Sequence, residues 1–163
     1  MDYCKGGELL NYISENNGLE ESDAQIITHQ LIYALTYLHS IGICHRDIKP
    51  ENFLLMSENN INHIKMIDFG LAVKTKKKED HMNLVTGSPF YIAPEVLLED
   101  YTMACDNWSI GILLYVMLAG KYPFMANTND ELFELIKEGT YDTSEEFWDD
   151  YSENALELMK SLL

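Results

Sequence analysis

The sequence predicts a mainly α fold with one small β-hairpin, and three observations carry that prediction. Apolar residues recur at helical spacing in several segments along the 163 residues. One of these segments, residues 102–119, turns apolar on every side from Ile110 onward, the mark of a helix buried at the centre. Two short apolar runs, Phe53-Leu54-Leu55-Met56 and His63-Ile64-Lys65-Met66-Ile67, flank the turn-forming Ser57-Glu58-Asn59-Asn60. The length suits one domain with a sizeable core.

The elements follow in order. Residues 2–7 read as a turn, and Glu8 to Ile13 as a short helix with Leu9, Leu10 and Ile13 on one side. Ser22 and Gln25 form a capping-box pattern for a long helix in which Ile26, Ile27, Leu31, Ala34, Leu35 and Leu38 share helical spacing, with Gly42 as its stop. His29 and His39 on it read as surface or satisfied core histidines. The hairpin follows a polar loop at residues 45–52. Residues 71–92 show no period and carry Lys74 and Lys76-Lys77-Lys78, so a long mobile loop is expected, its basic run a solvated tip or a phosphate receiver. Ala93-Pro94-Glu95 starts a helical turn, and Gly120 ends the central helix. Thr128 with Glu131 is a second capping box, for a helix reaching about Lys137, with Gly139 after it. Ser152 caps a last helix whose Ala155, Leu158, Met159 and Leu162 share a face.

Composition excludes several function classes. The chain has 27 acidic against 11 basic residues, a net charge of −16, so a nucleic-acid footprint is absent and basic partners are favoured. Three cysteines, Cys4, Cys44 and Cys105, lack metal or disulfide spacing and fit a reducing compartment, the cytoplasm. Cys44 and Cys105 read as small buried hydrophobes. No secretory signal is visible, and the longest apolar run is far below the roughly 18–20 residues that span a bilayer.

The chemistry concentrates in His45-Arg46-Asp47-Ile48-Lys49-Pro50-Glu51-Asn52. Pro50 makes this a stiff loop, not a helix. It carries a base (Asp47), a cation (Lys49) and a metal-capable amide (Asn52), a set that suits phosphoryl transfer, where positioning and charge neutralisation dominate. The alternative is a solvated loop after a helix.

Four motifs in order give this loop a context: residues 45–52, Asp68-Phe69-Gly70, Ala93-Pro94-Glu95 and Asp106-Asn107-Trp108-Ser109-Ile110-Gly111. Together they resemble the C-terminal lobe of a protein kinase over nearly the whole chain. The resemblance implies a partial protein kinase domain over residues 1–163, comprising hinge and C-terminal lobe, α+β in its whole form. It implies ATP and Mg²⁺ as cofactors, with Asp47 accepting or orienting the substrate hydroxyl proton and Lys49 neutralising charge on the transferring phosphoryl group. Asn52 and Asp68 would hold Mg²⁺. Asp2 and Cys4 match the hinge, Leu54 would lie under the adenine, and Glu8 would contact the ribose or a substrate arginine. Glu51 joins this nucleotide-binding set and would also face substrate arginines. Asp106 resembles the anchor of the catalytic loop, and His45 and Phe69 resemble stacked core residues.

Lys49 and Gly87-Ser88-Pro89-Phe90-Tyr91 are the serine/threonine form, with Ser88 as a substrate-contacting hydroxyl. Gly6-Gly7-Glu8-Leu9, Tyr91 to Glu95, and Leu118 to Phe124 are similar to the calcium/calmodulin-dependent group. Trp148, Tyr151-Ser152 and Ala155 are similar to the calcium-dependent protein kinases of plants and protists. The implied activity is transfer of the ATP γ-phosphoryl to Ser/Thr hydroxyls of protein substrates with nearby basic residues, under a calcium-sensing segment outside this chain. Leu84 stands where many relatives carry a phosphorylated threonine, while Thr75, Thr86 and Ser88 remain.

The resemblance also marks departures. The family's glycine-rich loop and paired lysine belong to an N-terminal lobe, so a fragment of a longer kinase is expected. Glu95 is expected as a buried carboxylate whose family partner is an arginine, yet the one arginine here is Arg46. The rival reading is a non-catalytic lobe fragment or pseudokinase-like scaffold that binds a partner.

Overall fold

The helix expected at the centre runs Cys105–Ala119 (α4), and every residue of it except Asn107 and Ala119 is buried. The computed structural model describes residues 3–77, 79–141 and 146–163. Ahead of the central helix come α1 (Leu9–Asn16), α2 (Glu21–Ser40), β1 (Ile43–Cys44), β2 (Phe53–Ser57), β3 (Asn60–Met66), β4 (Val73–Lys74) and α3 (Pro94–Leu97). Helices α5 (Asn129–Glu138) and α6 (Glu153–Leu162) follow it. The architecture is mostly helical with two small antiparallel sheets, β2–β3 and β1–β4.

Helix α4 packs between α2 and α6, as its all-round hydrophobicity requires. Its start falls three residues later than expected, because the Thr102 hydroxyl takes the Ala104 N–H at 3.3 Å and forms a local turn. It ends at Gly120, whose left-handed φ of 65° is the expected stop. Thr128 accepts from the Glu131 N–H and Ser152 from the Ala155 N–H, so both C-terminal helices have the side-chain caps read from sequence. On α6 the apolar face is narrower than expected: Met159 is buried, whereas Leu158 is exposed.

The capping box at Ser22 does not form. Helix α2 begins at Glu21, without a side-chain cap, and Ser22 lies exposed in its first turn. The Glu21 carboxylate is used elsewhere: it accepts from the Ser152 N–H at 2.7 Å and from the Ser152 hydroxyl, tying α2 to the start of α6. These bonds hold the Glu21 carboxyl below its ordinary range.

The hairpin β2–β3 pairs Phe53 with Met66 and Leu55 with Ile64, and turns at Glu58-Asn59, where Asn59 is left-handed at φ 52°. Strand β3 starts three residues before the expected position. Gln30 of α2 fastens it, donating to Ile61 O at 2.7 Å and accepting from the Ile64 N–H at 3.0 Å.

The stretch 71–92, expected as a long mobile loop, is anchored. Val73 pairs with Cys44 and Lys74 with Ile43, Met82 bridges to Tyr101, and Pro89–Tyr91 forms a 3₁₀ turn. Two-residue strands carry no readable alternation, so only the tertiary pairing reveals them. Glu95, expected as a buried carboxylate, is half-buried in the first turn of α3, with no cation paired to it among the described residues. No helix among the described residues is long and apolar enough to cross a membrane.

Candidate active site

The loop between β1 and β2 is fixed from below by one buried carboxylate. Asp106, at the start of α4 and 1% exposed, accepts from the His45 N–H at 2.9 Å and from the Arg46 N–H at 2.8 Å. His39 of α2 lies 2.9 Å from the same carboxylate, so it is the satisfied histidine that the sequence allowed. The grip matters because Arg46 adopts φ 67°, a left-handed conformation that costs a non-glycine residue about 1–2 kcal/mol. The adjoining Cys44 and Cys105 are buried free thiols 3.7 Å apart. Their mutual hydrogen bond and burial push the Cys44 thiol above its ordinary range, as expected of small core residues.

The next residue, Asp47, is 8% exposed and surrounded by donors. Lys49 Nζ lies 3.0 Å from Asp47 Oδ2, and Asn52 Nδ2 donates to that oxygen at 3.1 Å and to the Asp47 carbonyl at 2.8 Å. Ser88, from the far end of the anchored stretch, donates to Asp47 Oδ1 at 2.7 Å and accepts from Lys49 Nζ at 2.8 Å. Burial pushes the Asp47 carboxyl up, but the bonds from Ser88, Lys49 and Asn52 and the Lys49 charge outweigh it. The group therefore stays ionised below the usual carboxylate range.

The 3₁₀ turn Pro50–Asn52 replaces the wholly irregular loop expected after Lys49; Pro50 sits at its first position, where a missing N–H is tolerated. It brings Asn52 under Asp47 and delivers the chain into β2. The Asn52 carbonyl accepts from the Ile67 N–H at 2.9 Å, so the chain leaving β3 returns to the 45–52 loop one residue before Asp68. Asp68 itself is exposed, with φ 59°, and its Oδ1 accepts from the Gly70 N–H at 3.0 Å. Among the described residues its carboxylate makes no hydrogen bond to Asp47, Lys49 or Asn52. Phe69 meets His45 edge to face at 5.1 Å.

A second group of expected residues assembles along β2. The segment 4–8 runs beside it: Lys5 N–H donates to Met56 O, Gly6 N–H to Leu55 O, and Glu8 bridges to Leu54. Gly6 permits this approach, since a Cβ there would lie 2.4 Å from Ser57 O and 2.5 Å from Leu55 Cβ. Cys4 Sγ contacts Met56 Sδ at 3.6 Å. Cys4, Glu8 and Leu54 are thus neighbours on one edge, and β2 links them to Asn52. Asp2 lies outside the described residues.

Glu51 faces the other way. One of its carboxylate oxygens, Oε2, is buried without a hydrogen-bond partner. Its charge adds to burial and to the Tyr122 hydrogen bond in pushing the Tyr91 hydroxyl above its ordinary range. A carboxylate oxygen left unpaired in a protein interior is costly. The oxygen donors of Asn52 and Asp68 are of the hard type that Mg²⁺ takes, and with the Asn52 amide nitrogen engaged by Asp47 its carbonyl oxygen remains the ligating end. The donor set fits that ion.

Ser88 was legible from its motif, but its bridging of Asp47 and Lys49 was not. Tyr101, whose hydroxyl accepts from Arg46 Nη1 at 3.3 Å, left no sequence signal, because a single aromatic in an aperiodic stretch has no pattern to betray it.

The site is thus a stiff loop with an ionised, lysine-paired aspartate, held by a buried aspartate on the central helix. The protein kinase domain family matches residues 1–163, and the chain belongs to it. It is 41% identical over all of its 163 residues to calcium-dependent protein kinase 3 of Plasmodium berghei, covering 29% of that protein. It is 39% identical to calcium-dependent protein kinase 25 of Arabidopsis thaliana, covering 31%, and 40% identical over 172 aligned positions to serine/threonine-protein kinase 33 of Bos taurus, covering 35%. The chain therefore spans about a third of the length of these relatives.

Proposed function

We propose that residues 1–163 form the hinge and C-terminal lobe of a serine/threonine protein kinase that transfers the γ-phosphoryl of ATP to Ser/Thr hydroxyls of proteins. The observation that carries this reading is the Asp47–Lys49–Ser88–Asn52 cluster. Asp47, kept ionised, orients the substrate hydroxyl and takes its proton. Lys49, 3.0 Å away, offsets negative charge on the phosphoryl oxygens in transit. Asn52 and Asp68 would hold Mg²⁺, which supplies charge neutralisation at the nucleotide phosphates. Cys4, Glu8 and Leu54 border the nucleotide along β2, and Asp2 is assigned to the hinge by its sequence resemblance alone.

The substrate side follows from charge. The unpaired Glu51 oxygen and a net charge of −16 favour peptides with Arg or Lys near the acceptor hydroxyl. Similarity to calcium-dependent protein kinases supports a calcium-sensing segment as the regulator, and three free thiols support a reducing, cytoplasmic setting. The second reading is a lobe that binds peptide without catalysis, favoured by the Asp68 carboxylate being turned into its own loop.

A transfer assay with ATP, Mg²⁺ and an arginine-containing serine peptide separates the two, run on this polypeptide and on a longer protein containing it. Transfer by the longer protein supports the kinase reading. Peptide binding without transfer in both supports the scaffold.

A further inference from the structure

Arg46 presents a cation to the segment that carries Ser88, yet among the described residues no carboxylate pairs with it. Its Nε donates to Leu71 O at 2.8 Å and its Nη1 to the Tyr101 hydroxyl at 3.3 Å. Tyr101, 2% exposed, passes the contact on: its hydroxyl donates to Leu84 O at 2.7 Å. A phenol can accept one bond and donate another at once, so the three groups form a satisfied chain. The backbone of Tyr101 also pairs with Met82, through N–H···O bonds of 2.7 and 3.0 Å.

One buried residue therefore grips the segment at Met82 and again at Leu84. Met82 also packs against the core, but beyond it packing contributes little, because Leu84 and Val85 are 60% and 43% exposed. Downstream, Gly87 has φ 117° and approaches so closely that a Cβ there would lie 2.8 Å from Arg46 O. Ser88 then reaches Asp47 and Lys49. The segment is registered on the catalytic loop at Leu84, Gly87 and Ser88.

We infer that Tyr101 is a positioning residue whose hydroxyl, held by Arg46, fixes the 84–88 segment so that Ser88 meets Asp47 without a phosphate on the segment. The inference rests on the kinase reading of Asp47. It gives Arg46 a neutral partner in place of an anion, and Leu84 has no hydroxyl to modify.

The test is Tyr101→Phe in the longer protein, which keeps the buried ring and removes the hydroxyl. The KM for a peptide substrate rises about five- to tenfold, from the loss of hydrogen bonds that include one to a charged group. The kcat and the KM for ATP stay nearly unchanged. Hydrogen exchange of the Met82 and Tyr101 amides, which pair with each other, quickens while those of Cys105–Ala119 stay protected. Phosphatase treatment leaves the wild-type KM as it was. Unchanged KM and exchange in the variant, a phosphatase-sensitive wild type, or lost protection in the central helix would each overturn the positioning role. Should the wild type transfer no phosphate at all, the kinase reading fails, and the exchange comparison still decides the Arg46–Tyr101–Leu84 relay.

Discussion

The Ser88 hydroxyl donates to Asp47 Oδ1 at 2.7 Å, across 41 residues of sequence, and closes a ring with Lys49. Ser88→Ala removes a bond to an ionised acceptor, about 1.5–3 kcal/mol, so kcat/KM should fall roughly ten- to a hundredfold. The same bond helps hold the Asp47 carboxyl down, so its loss moves the acid limb of the pH–rate profile to higher pH. Steady-state kinetics across pH measure both effects.

The Asp106 carboxylate serves two backbone amides and His39 while nearly fully buried. Asp106→Ala leaves those groups unpaired and should destabilise the protein by about 3 kcal/mol or more. Asp106→Asn keeps one acceptor oxygen and should lose less. Denaturant unfolding of the two variants orders them.

Acid stability should depend on Asp47. Its folded-state pKa is lowered, so its contribution is present above the unfolded carboxylate value and disappears as pH falls through the folded one. Asp47→Asn should therefore show a shallower loss of stability below the ordinary carboxylate range, with little change in slope near neutrality. Unfolding free energies measured through that window provide the comparison.

Gly6→Ala places a methyl group 2.4 Å from Ser57 O, so the 4–8 segment must move away from β2. Overpacking of this kind costs typically about 1–3 kcal/mol. If this edge borders the nucleotide, the KM for ATP rises while the KM for peptide holds. Kinetics with each substrate varied in turn read the difference.

Much of this was legible because the motifs carry their own local geometry. Pro94 opens a short helical turn, Thr128 and Ser152 cap helices, and an all-apolar stretch is the core helix. Glu8 bridges to Leu54 and Cys4 touches Met56 two residues along the same strand, while Asp47 holds both Lys49 and Asn52. The losses lie where tertiary contact overrides local chemistry. Ser22 looked like a cap, but the helix starts before it, with Glu21 engaged by Ser152 from 131 residues away. The stretch 71–92 looked free because its anchors, Cys44 and Tyr101, lie on either side of it in sequence.

Asp47 is the residue on which the functional account stands, and its isosteric replacement tests it most directly. In the longer protein, Asp47→Asn should lower kcat for γ-phosphoryl transfer by about a hundredfold or more while ATP still binds as it does to the wild type. Transfer measured with labelled ATP, beside nucleotide binding by calorimetry, gives both numbers. Near-normal turnover in the variant would contradict the assignment of Asp47 as the catalytic carboxylate.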